Sequence, residues 1–362
     1  MLKPDNLRMP QPEPYTVAIV GAGPIGLELA VAFRRLGVRY VHFDAGQVGH
    51  TIGWYPRDVR FFSSNDRIAI ADVPLNTPDQ SKASRETYLS YLRSVCQLHD
   101  LPVHTHEPVV GLRRDHRGFQ ITTRRQDVEQ QYRAEHVVLA IGDMHRPRRL
   151  GIEGENLPHV SHYFVDAHEF FRKRLLIVGG RNSAAEAAIR CQRIGAEVTL
   201  SYRRANFDDQ SIKYWILPEL EVLIKTGRVA FHPQTVPLAI TPTHVRLGPT
   251  ESASGIGDMD VPADFVLLLT GYEMNPQLFT AAGVALEGDN QFPKHDPGTM
   301  ETNIPGLYVA GTAAAGTQQR FRLFIENCHA HVARIVEAIT GKPCPFAARD
   351  VTHSGKYAIP ES

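Results

Sequence analysis

The sequence is poor in cysteine, with four residues in 362. Cys96, Cys191, Cys328 and Cys344 lie far apart and form no C-x-x-C pair. This spacing excludes a local dithiol redox motif and a local zinc knuckle. Because an isolated cysteine usually behaves as a small apolar side chain, most of these thiols are expected to be buried and free.

An excess of charge and long apolar runs are also missing. The chain has 39 basic and 39 acidic residues and a pI near 7.3, so nothing in its net charge favours binding to nucleic acid or to a membrane surface. No run approaches the roughly 20 apolar residues that a membrane helix needs. The opening residues MLKPDNLRMPQPEPY contain no apolar segment typical of a secretory signal, so a cytoplasmic location is expected.

Histidine is plentiful, but its spacing does not complete a metal site. Of the 17 histidines, His104 and His106 are two residues apart, as are His329 and His331. The sequence positions no third ligand for either pair, so no metal site is predicted.

What the sequence does contain is two strand–helix–strand units. The first is predicted as a strand at 16–20, a helix at 24–36 and a strand at 38–44, and the second begins at KRLLIVGG. Such units imply parallel sheets and an α/β fold. The predicted division is an arm at 1–14, a first domain at 15–150, an inserted domain at 151–268, a return to the first domain at 269–345 and a tail at 346–362.

The first unit carries the turn GAGPIG between its strand and its helix. Gly21 allows the tight turn, Gly23 lets a pyrophosphate approach the backbone, and Gly26 allows close packing of helix on strand. Pro24 opens the helix, whose N-terminus attracts phosphate. Asp44 ends the second strand, where a carboxylate can accept hydrogen bonds from a ribose. These residues predict a dinucleotide site.

The turn alone fits either FAD or NAD(P), and two later stretches favour FAD. VVLAIGD places Gly142 after a strand and before the inserted domain. IPGLYVAGTAAAG places Gly311 and Thr312 before the last helix, which is predicted over 321–340. A long cofactor that reaches across the domain needs such additional contacts.

The second unit carries VGGRNSAAEAA. Its candidate cofactor residues are Gly179, Gly180, Arg181, Asn182 and Ser183. Arg181 replaces the middle glycine of the usual G-x-G-x-x-A pattern, and either binds the cofactor or simply covers the turn.

The strand after this turn ends in two arginines, Arg203 and Arg204, where an NAD-specific site usually has an acid. An arginine there can bind a 2′-phosphate, which favours NADPH. The alternative is a solvated pair of arginines at the end of a strand.

Six stretches together resemble the YpdA family of bacillithiol disulfide reductases, within the low-molecular-weight thioredoxin reductase group. They are RFFSSNDRIAIADVP, HVSHYFVDAHEFF, IVGGRNSAAEAA, SIKYWILPELE, LLLTGY and METNIPGLYVAGTAAAG…FIENCHAH. The resemblance implies two Rossmann-like dinucleotide-binding domains in a thioredoxin reductase-like fold, with an NADPH domain inserted into an FAD domain and no C-terminal dimerisation domain. It also implies hydride transfer from NADPH through the flavin to a low-molecular-weight disulfide.

One position departs from the family pattern G-G-G-P-C-G, because Ile25 occupies the place of its cysteine. Disulfide exchange needs an attacking thiolate. Cys328, at the start of the last helix, is the remaining candidate catalytic residue, because a helix N-terminus would lower its thiol pKa. The alternative is a thiol buried for packing.

The acceptor therefore stays open at this point. It is a thiol-system disulfide, a small electron carrier such as ferredoxin or flavodoxin, or a quinone-like molecule. A flavin monooxygenase and a non-catalytic nucleotide-sensing module are the alternative functions. Relatives of this fold often form dimers, so a homodimer is a possible assembly.

Overall fold

The computed structural model describes residues 13–253, 255, 257–318 and 323–346. The strands are β1 (Tyr15–Val20), β2 (Tyr40–Phe43), β3 (Val103–His104), β4 (Val109–Asp115), β5 (Gly118–Arg125), β6 (Val128–Leu139), β7 (Arg146–Pro147), β8 (Val160–Ser161), β9 (Arg174–Val178), β10 (Glu197–Tyr202), β11 (Val229–Pro233), β12 (Thr235–Ile240), β13 (His244–Pro249), β14 (Met259–Pro262), β15 (Phe265–Leu268), β16 (Tyr272–Glu273), β17 (Leu286–Glu287), β18 (Phe292–Pro293) and β19 (Leu307–Val309).

The α-helices are α1 (Pro24–Arg35), α2 (Asn65–Ile68), α3 (Arg85–Leu98), α4 (Asn182–Arg193), α5 (Leu217–Lys225), α6 (Gln277–Ala281) and α7 (Ile325–Thr340). Short 3₁₀ helices lie at Ile52–Trp54, Ala167–Phe170 and Gly311–Ala315. None of the helices in the described part of the chain is long and apolar enough to cross a membrane.

The chain divides into two compact units. Unit 1 contains residues 1–53, 60–145 and 274–362, and unit 2 contains 54–59 and 146–273. The predicted boundaries at 150/151 and 268/269 therefore fall about five residues inside unit 2, and the prediction placed 54–59 in the first domain.

Unit 1 is built on a parallel sheet in the order β3-β2-β1-β6-β19. Its central strand β1 is the apolar run TVAIV, and Val17, Ala18 and Ile19 have no exposed surface. The chain continues from β1 to β2 on one side and reaches β6 and β19 on the other. This change of direction opens a crevice at the carboxyl end of β1, which is where α/β proteins bind ligands.

Strand β6 is longer than predicted. The sequence indicated a strand at 134–142, but β6 begins at Val128 and pairs antiparallel with β5 before its second half joins the parallel sheet. The early part, VEQQYR, is mostly polar, with three residues exposed and three half-buried, so its apolar signal is weak. The helix predicted over 321–340 is observed as α7 from Ile325, and residues 321–322 lie outside the described residues.

Unit 2 has a parallel sheet in the order β11-β10-β9-β15-β8. The run RLLIV of β9 is central, with Leu176 and Ile177 fully buried. A separate antiparallel sheet, β12-β13-β14, was not predicted. The predicted arm is described only at 13–14, which are exposed, and residues 1–12 lie outside the description, as do residues 347–362 of the tail.

Candidate functional site

The three motif glycines of unit 1 differ in the space around them. Gly21 and Gly26 pack closely against the backbone, and Gly23 does not. Gly21 has φ +108°, and a Cβ on it would lie 2.3 Å from the carbonyl oxygen of Ala140. A Cβ on Gly26 would lie 1.9 Å from the carbonyl oxygen of Gly21. A Cβ on Gly23 would meet no described atom within 4 Å. Glycine is therefore required at Gly21 and Gly26, where the turn packs against backbone atoms. The space at Gly23 is where a phosphate would approach.

The start of α1 can receive that phosphate. Gly23 is the N-cap and Pro24 the first helical residue, and no described side chain caps the helix. The first backbone N–H groups therefore lack an internal acceptor and suit a diphosphate. These features fit the phosphates of FAD.

The end of β2 supports the turn. Asp44 Oδ2 accepts a hydrogen bond from the Ala22 N–H at 2.6 Å, and its Oδ1 accepts one from Gly46 at 2.7 Å. Its carboxylate thus orders the turn itself, and a ribose contact remains a prediction. His42, which sequence reasoning missed, lies 2.9 Å through Nε2 from the carbonyl oxygen of Gly21.

The other predicted FAD contacts lie beside this turn. Gly142 and Gly311 follow the neighbouring strands β6 and β19, and both have φ +71°. A Cβ on Gly142 would lie 3.8 Å from Thr312 Oγ1, and one on Gly311 would lie 3.7 Å from Ile25 Cβ. The structure therefore brings these three predicted residues to one edge of the sheet, next to the first turn of α1.

A buried acid at this edge was not predicted. Asp143 is 6% exposed, and its Oδ2 accepts a hydrogen bond from Gln318 Nε2 at 2.9 Å. Burial raises the pKa of its carboxyl, while hydrogen bonds from Gln318 and Thr312 oppose the rise. The signal in the sequence was its position directly after Gly142.

The glycine turn of unit 2 is similarly constrained. A Cβ on Gly179 would lie 2.6 Å from the carbonyl oxygen of Leu269, and one on Gly180 would overlap the Tyr202 ring at 2.2 Å. Arg181 is the N-cap of α4, which no described side chain caps. Asn182 Oδ1 accepts a hydrogen bond from the Lys213 N–H at 2.8 Å. Ser183, in the first turn of α4, is exposed.

Arginines gather at the carboxyl edge of this sheet. Burial lowers the pKa of Arg181, and the nearby charges of Arg203, Arg204 and Arg148 lower it further. Arg203 and Arg204 are exposed directly after β10, and Arg204 forms a 3.6 Å ion pair with Asp208. Mutually repelling cations beside an open helix start fit a ligand with several phosphate charges, such as NADPH.

The geometry is matched by comparisons with known proteins. A family model described as pyridine nucleotide-disulphide oxidoreductase matches residues 18–311. The chain belongs to this family. It is an NADPH-dependent flavin oxidoreductase with FAD and NADPH as cofactors. This membership favours an enzyme over the nucleotide-sensing module.

Two individual relatives show which members of the family this oxidoreductase is similar to. Bacilliredoxin reductase Bdr of Bacillus subtilis (strain 168) is 33% identical over 324 residues, which cover 89% of this chain and 96% of that protein. A ferredoxin–NADP reductase of Leuconostoc citreum (strain KM20) is 27% identical over 316 residues, covering 83% and 84%.

Solved structures of similar proteins include a member of the YpdA family. Bacillithiol disulfide reductase Bdr (YpdA) from Bacillus cereus has 31% identity and a TM-score of 0.85, covering 90% of this chain and 99% of that one. A thioredoxin reductase of T. acidophilum, at 19% identity and TM-score 0.69 over 90% and 97% of the two chains, shares the fold alone. The predicted YpdA resemblance and thioredoxin reductase-like fold are confirmed.

In this oxidoreductase, the expectation of a lowered pKa at Cys328 is wrong. The thiol has no exposed surface, and burial raises its pKa well above the ordinary value, with Asp143, Glu326 and Glu28 adding to the rise. Position near the start of α7 does not compensate for burial among carboxylates. Cys328 therefore packs in the core of unit 1, and the structure lends its catalytic role no support.

Proposed function

We propose that this NADPH-dependent flavin oxidoreductase delivers the two electrons of NADPH to its acceptor without using a thiol of its own. The observation that carries the proposal is Ile25, which occupies the family's cysteine position, is 6% exposed and lies beside Gly311. An isoleucine can neither attack a disulfide nor form a mixed one.

The four cysteines do not replace it. Burial raises the thiol pKa of each: to about 11 for Cys96, to about 12 for Cys191, and upward for Cys328 and Cys344. Reactive cysteines need the thiolate form and access to the substrate. None of the four combines both.

The residues of this chain bind FAD and NADPH and orient them. We assign the diphosphate of FAD to the turn Gly21–Gly26, with further contacts from Gly142, Gly311 and Thr312. We assign NADPH to residues 179–183, with its 2′-phosphate at Arg203 and Arg204. Bound FAD supplies the hydride chemistry that links NADPH to the acceptor.

Two acceptor classes follow from the relatives. A low-molecular-weight disulfide of the bacillithiol type is the first, because the solved structure at 31% identity is named a bacillithiol disulfide reductase. With no enzyme thiol to exchange with it, this disulfide would have to take two electrons directly from the reduced FAD and two protons from solvent to become two thiols. A ferredoxin-type carrier is the second, because it takes one electron at a time and needs no enzyme thiol, and ferredoxin–NADP reductases are among the relatives. The cytoplasmic location and the homodimer remain predictions.

The test is anaerobic turnover of the purified FAD-loaded protein before and after alkylation with iodoacetamide. We expect NADPH to bleach the flavin absorbance at one equivalent per FAD. Reduction of ferredoxin or of bacillithiol disulfide, whichever is the acceptor, should survive alkylation. Loss of that turnover after alkylation would refute the thiol-free route.

An engineered cysteine supplies the matched comparison. Any disulfide reduction that Ile25→Cys shows above the wild-type rate should be abolished by alkylation, whereas Ile25→Val, which keeps the apolar contact with Gly311, should behave like the wild type. Alkylation-sensitive turnover in the wild type and both variants alike would assign a thiol role elsewhere in the chain.

A further inference from the structure

Three consecutive residues at the end of β2 hold the glycine turn of unit 1, and we call them the β2 clamp (His42, Phe43 and Asp44). His42 Nε2 contacts the carbonyl oxygen of Gly21 at 2.9 Å. The carbonyl of Phe43 accepts from the Gly21 N–H at 2.7 Å. Asp44 Oδ2 accepts from the Ala22 N–H at 2.6 Å. The clamp thus binds successive polar groups of the turn, and two of its contacts come from side chains.

The chemistry of these contacts fixes the state of His42. A carbonyl oxygen only accepts, so Nε2 carries the proton and donates it to Gly21. Nδ1 is then an acceptor, and it is buried with no hydrogen-bond partner among the described residues. The side chain has no exposed surface, and burial lowers its pKa to about 4, so the ring is neutral at neutral pH.

This arrangement is unfavourable for stability alone. A buried acceptor without a partner costs free energy, and an aliphatic side chain in the same strand would avoid that cost. β2 is otherwise apolar at its buried positions, with Val41 and Phe43. A residue that is costly in the core and touches a ligand-binding turn is expected to serve the ligand.

The carbonyl that His42 holds is the tightest point of the turn. The Cα of Gly26 in α1 sits against the same oxygen, since a Cβ there would approach within 1.9 Å. A Cβ on Gly26 would also lie 3.4 Å from His42 Nε2. Any rotation of the Gly21 peptide would therefore shift the start of α1 and its open N–H groups.

We propose that His42 is a positioning residue that fixes the Gly21 carbonyl and so pre-forms the glycine turn for the diphosphate of FAD. The inference rests on the proposed assignment of FAD to this turn. A pre-formed site binds more tightly because ordering is not paid for on binding. Removing the hydrogen bond should therefore weaken FAD binding more than it weakens the fold.

The test compares His42→Leu with His42→Gln in the full-length protein stripped of FAD. Leucine removes the unpartnered nitrogen, which favours the fold, and also the donor to the Gly21 carbonyl, which disfavours it. We therefore expect urea resistance close to that of the wild type, with FAD binding weakened about tenfold. Glutamine keeps an N–H donor on a chain of similar reach and should restore most of the affinity. FAD binding is measured by the change in flavin fluorescence.

His331→Leu is the matched control. His331 is also buried, its Nδ1 also lacks a partner among the described residues, and burial lowers its pKa to about 4. It lies in α7 rather than in the β2 clamp. This variant should match or exceed wild-type stability and bind FAD normally.

Separate outcomes overturn separate claims. His42→Leu that retains wild-type FAD affinity, or His331→Leu that loses as much affinity, would overturn the role of His42. A wild-type protein that binds no FAD at all would overturn both this role and the proposed function. Equal losses in the leucine and glutamine variants would show that ring packing, not the hydrogen bond, matters.

Discussion

At the scale of single residues, the arginines of unit 2 indicate which electron donor the protein binds. Burial lowers the pKa of Arg181, and Arg148, Arg203 and Arg204 lie near enough to it to lower that pKa further. Such mutual repulsion is relieved by a polyanion. A guanidinium favours the 2′-phosphate of NADPH through charge-assisted hydrogen bonds that NADH cannot make.

Arg203→Ala tests this selectivity. We expect the affinity for NADPH to fall about tenfold or more, while that for NADH changes little, because only NADPH has the 2′-phosphate. Binding is measured by fluorescence titration with each cofactor. The control is Arg193→Ala, an exposed arginine at the far end of α4 that pairs with Glu219. Equal losses of both cofactors at Arg203 would remove the 2′-phosphate argument.

For Cys328, in contrast to Arg203, we expect a substitution to have almost no effect. Because its thiol is fully buried and its pKa is raised, Cys328→Ala should leave acceptor turnover within about twofold of the wild type. Mass spectrometry after brief alkylation of the folded protein should find Cys328 unmodified. Rapid alkylation together with lost turnover would restore Cys328 as a candidate catalytic residue.

Sequence reasoning at this scale found residues defined by spacing and missed residues defined by burial. The glycines were found because each position of a G-x-G-x-x-G turn has its own steric demand. His42 and Asp143 were missed because their importance comes from contacts that only the folded sheet creates. A histidine and an acid next to motif residues were the only signals available.

At the scale of elements, some strands and helices can be predicted from the sequence and others cannot. β1, β9, α1 and α4 are clear in the sequence because buried parallel strands are continuously apolar and the helices beside them are amphipathic. The strands β12, β13 and β14 contain proline or exposed polar residues, so their pattern is weak. Their pairing with one another, rather than local propensity, defines them.

The turn leading into α1 permits a test that separates binding from folding. Gly23 has φ −74°, and no atom of the described residues lies within 4 Å of a Cβ placed on it, so Gly23→Ala should fold with a Tm within about 2 °C of the wild type. Its methyl group would occupy the space assigned to the pyrophosphate, and FAD affinity should fall about tenfold or more. Flavin retention after gel filtration and thermal unfolding measure the two effects.

Gly26→Ala provides the counterpart. Its Cβ would lie 1.9 Å from a backbone oxygen, so the helix or the strand must move, at a cost of about 3 kcal/mol. We expect a clear loss of Tm in addition to lost flavin. If Gly23→Ala were destabilised as much as Gly26→Ala, the open space at Gly23 would not be a ligand site.

At the scale of the whole molecule, folding into two units explains which domain boundaries are readable. The sequence predicted the insertion because two glycine turns need two sheets. It placed 54–59 in the first domain because nothing local distinguishes that stretch, which belongs to unit 2 through contacts such as Arg57 with Asp166 at 3.1 Å. Contacts between residues far apart in the chain are invisible to local patterns.

The stability of the whole chain should also record its buried histidines. His42 and His331 have pKa values lowered to about 4, whereas an unfolded histidine titrates near 6.5. Between these values the unfolded chain binds more protons than the folded one, so stability rises with pH across that window. The contribution is fully present above about pH 6.5 and is lost as the pH falls towards 4.

We therefore expect the free energy of unfolding, measured by urea titration, to change little from pH 8 to 7 and to fall steeply from pH 6.5 to 4.5, by up to about 1.4 kcal/mol per pH unit for each histidine. The double variant His42→Leu/His331→Leu should flatten this slope, because its leucines take up no proton on unfolding. Asp264, whose pKa Arg174 lowers to about 2, adds its own loss only below about pH 4, outside the window. An unchanged slope in the double variant would assign the acid sensitivity to other groups and contradict the neutral, buried state of both rings.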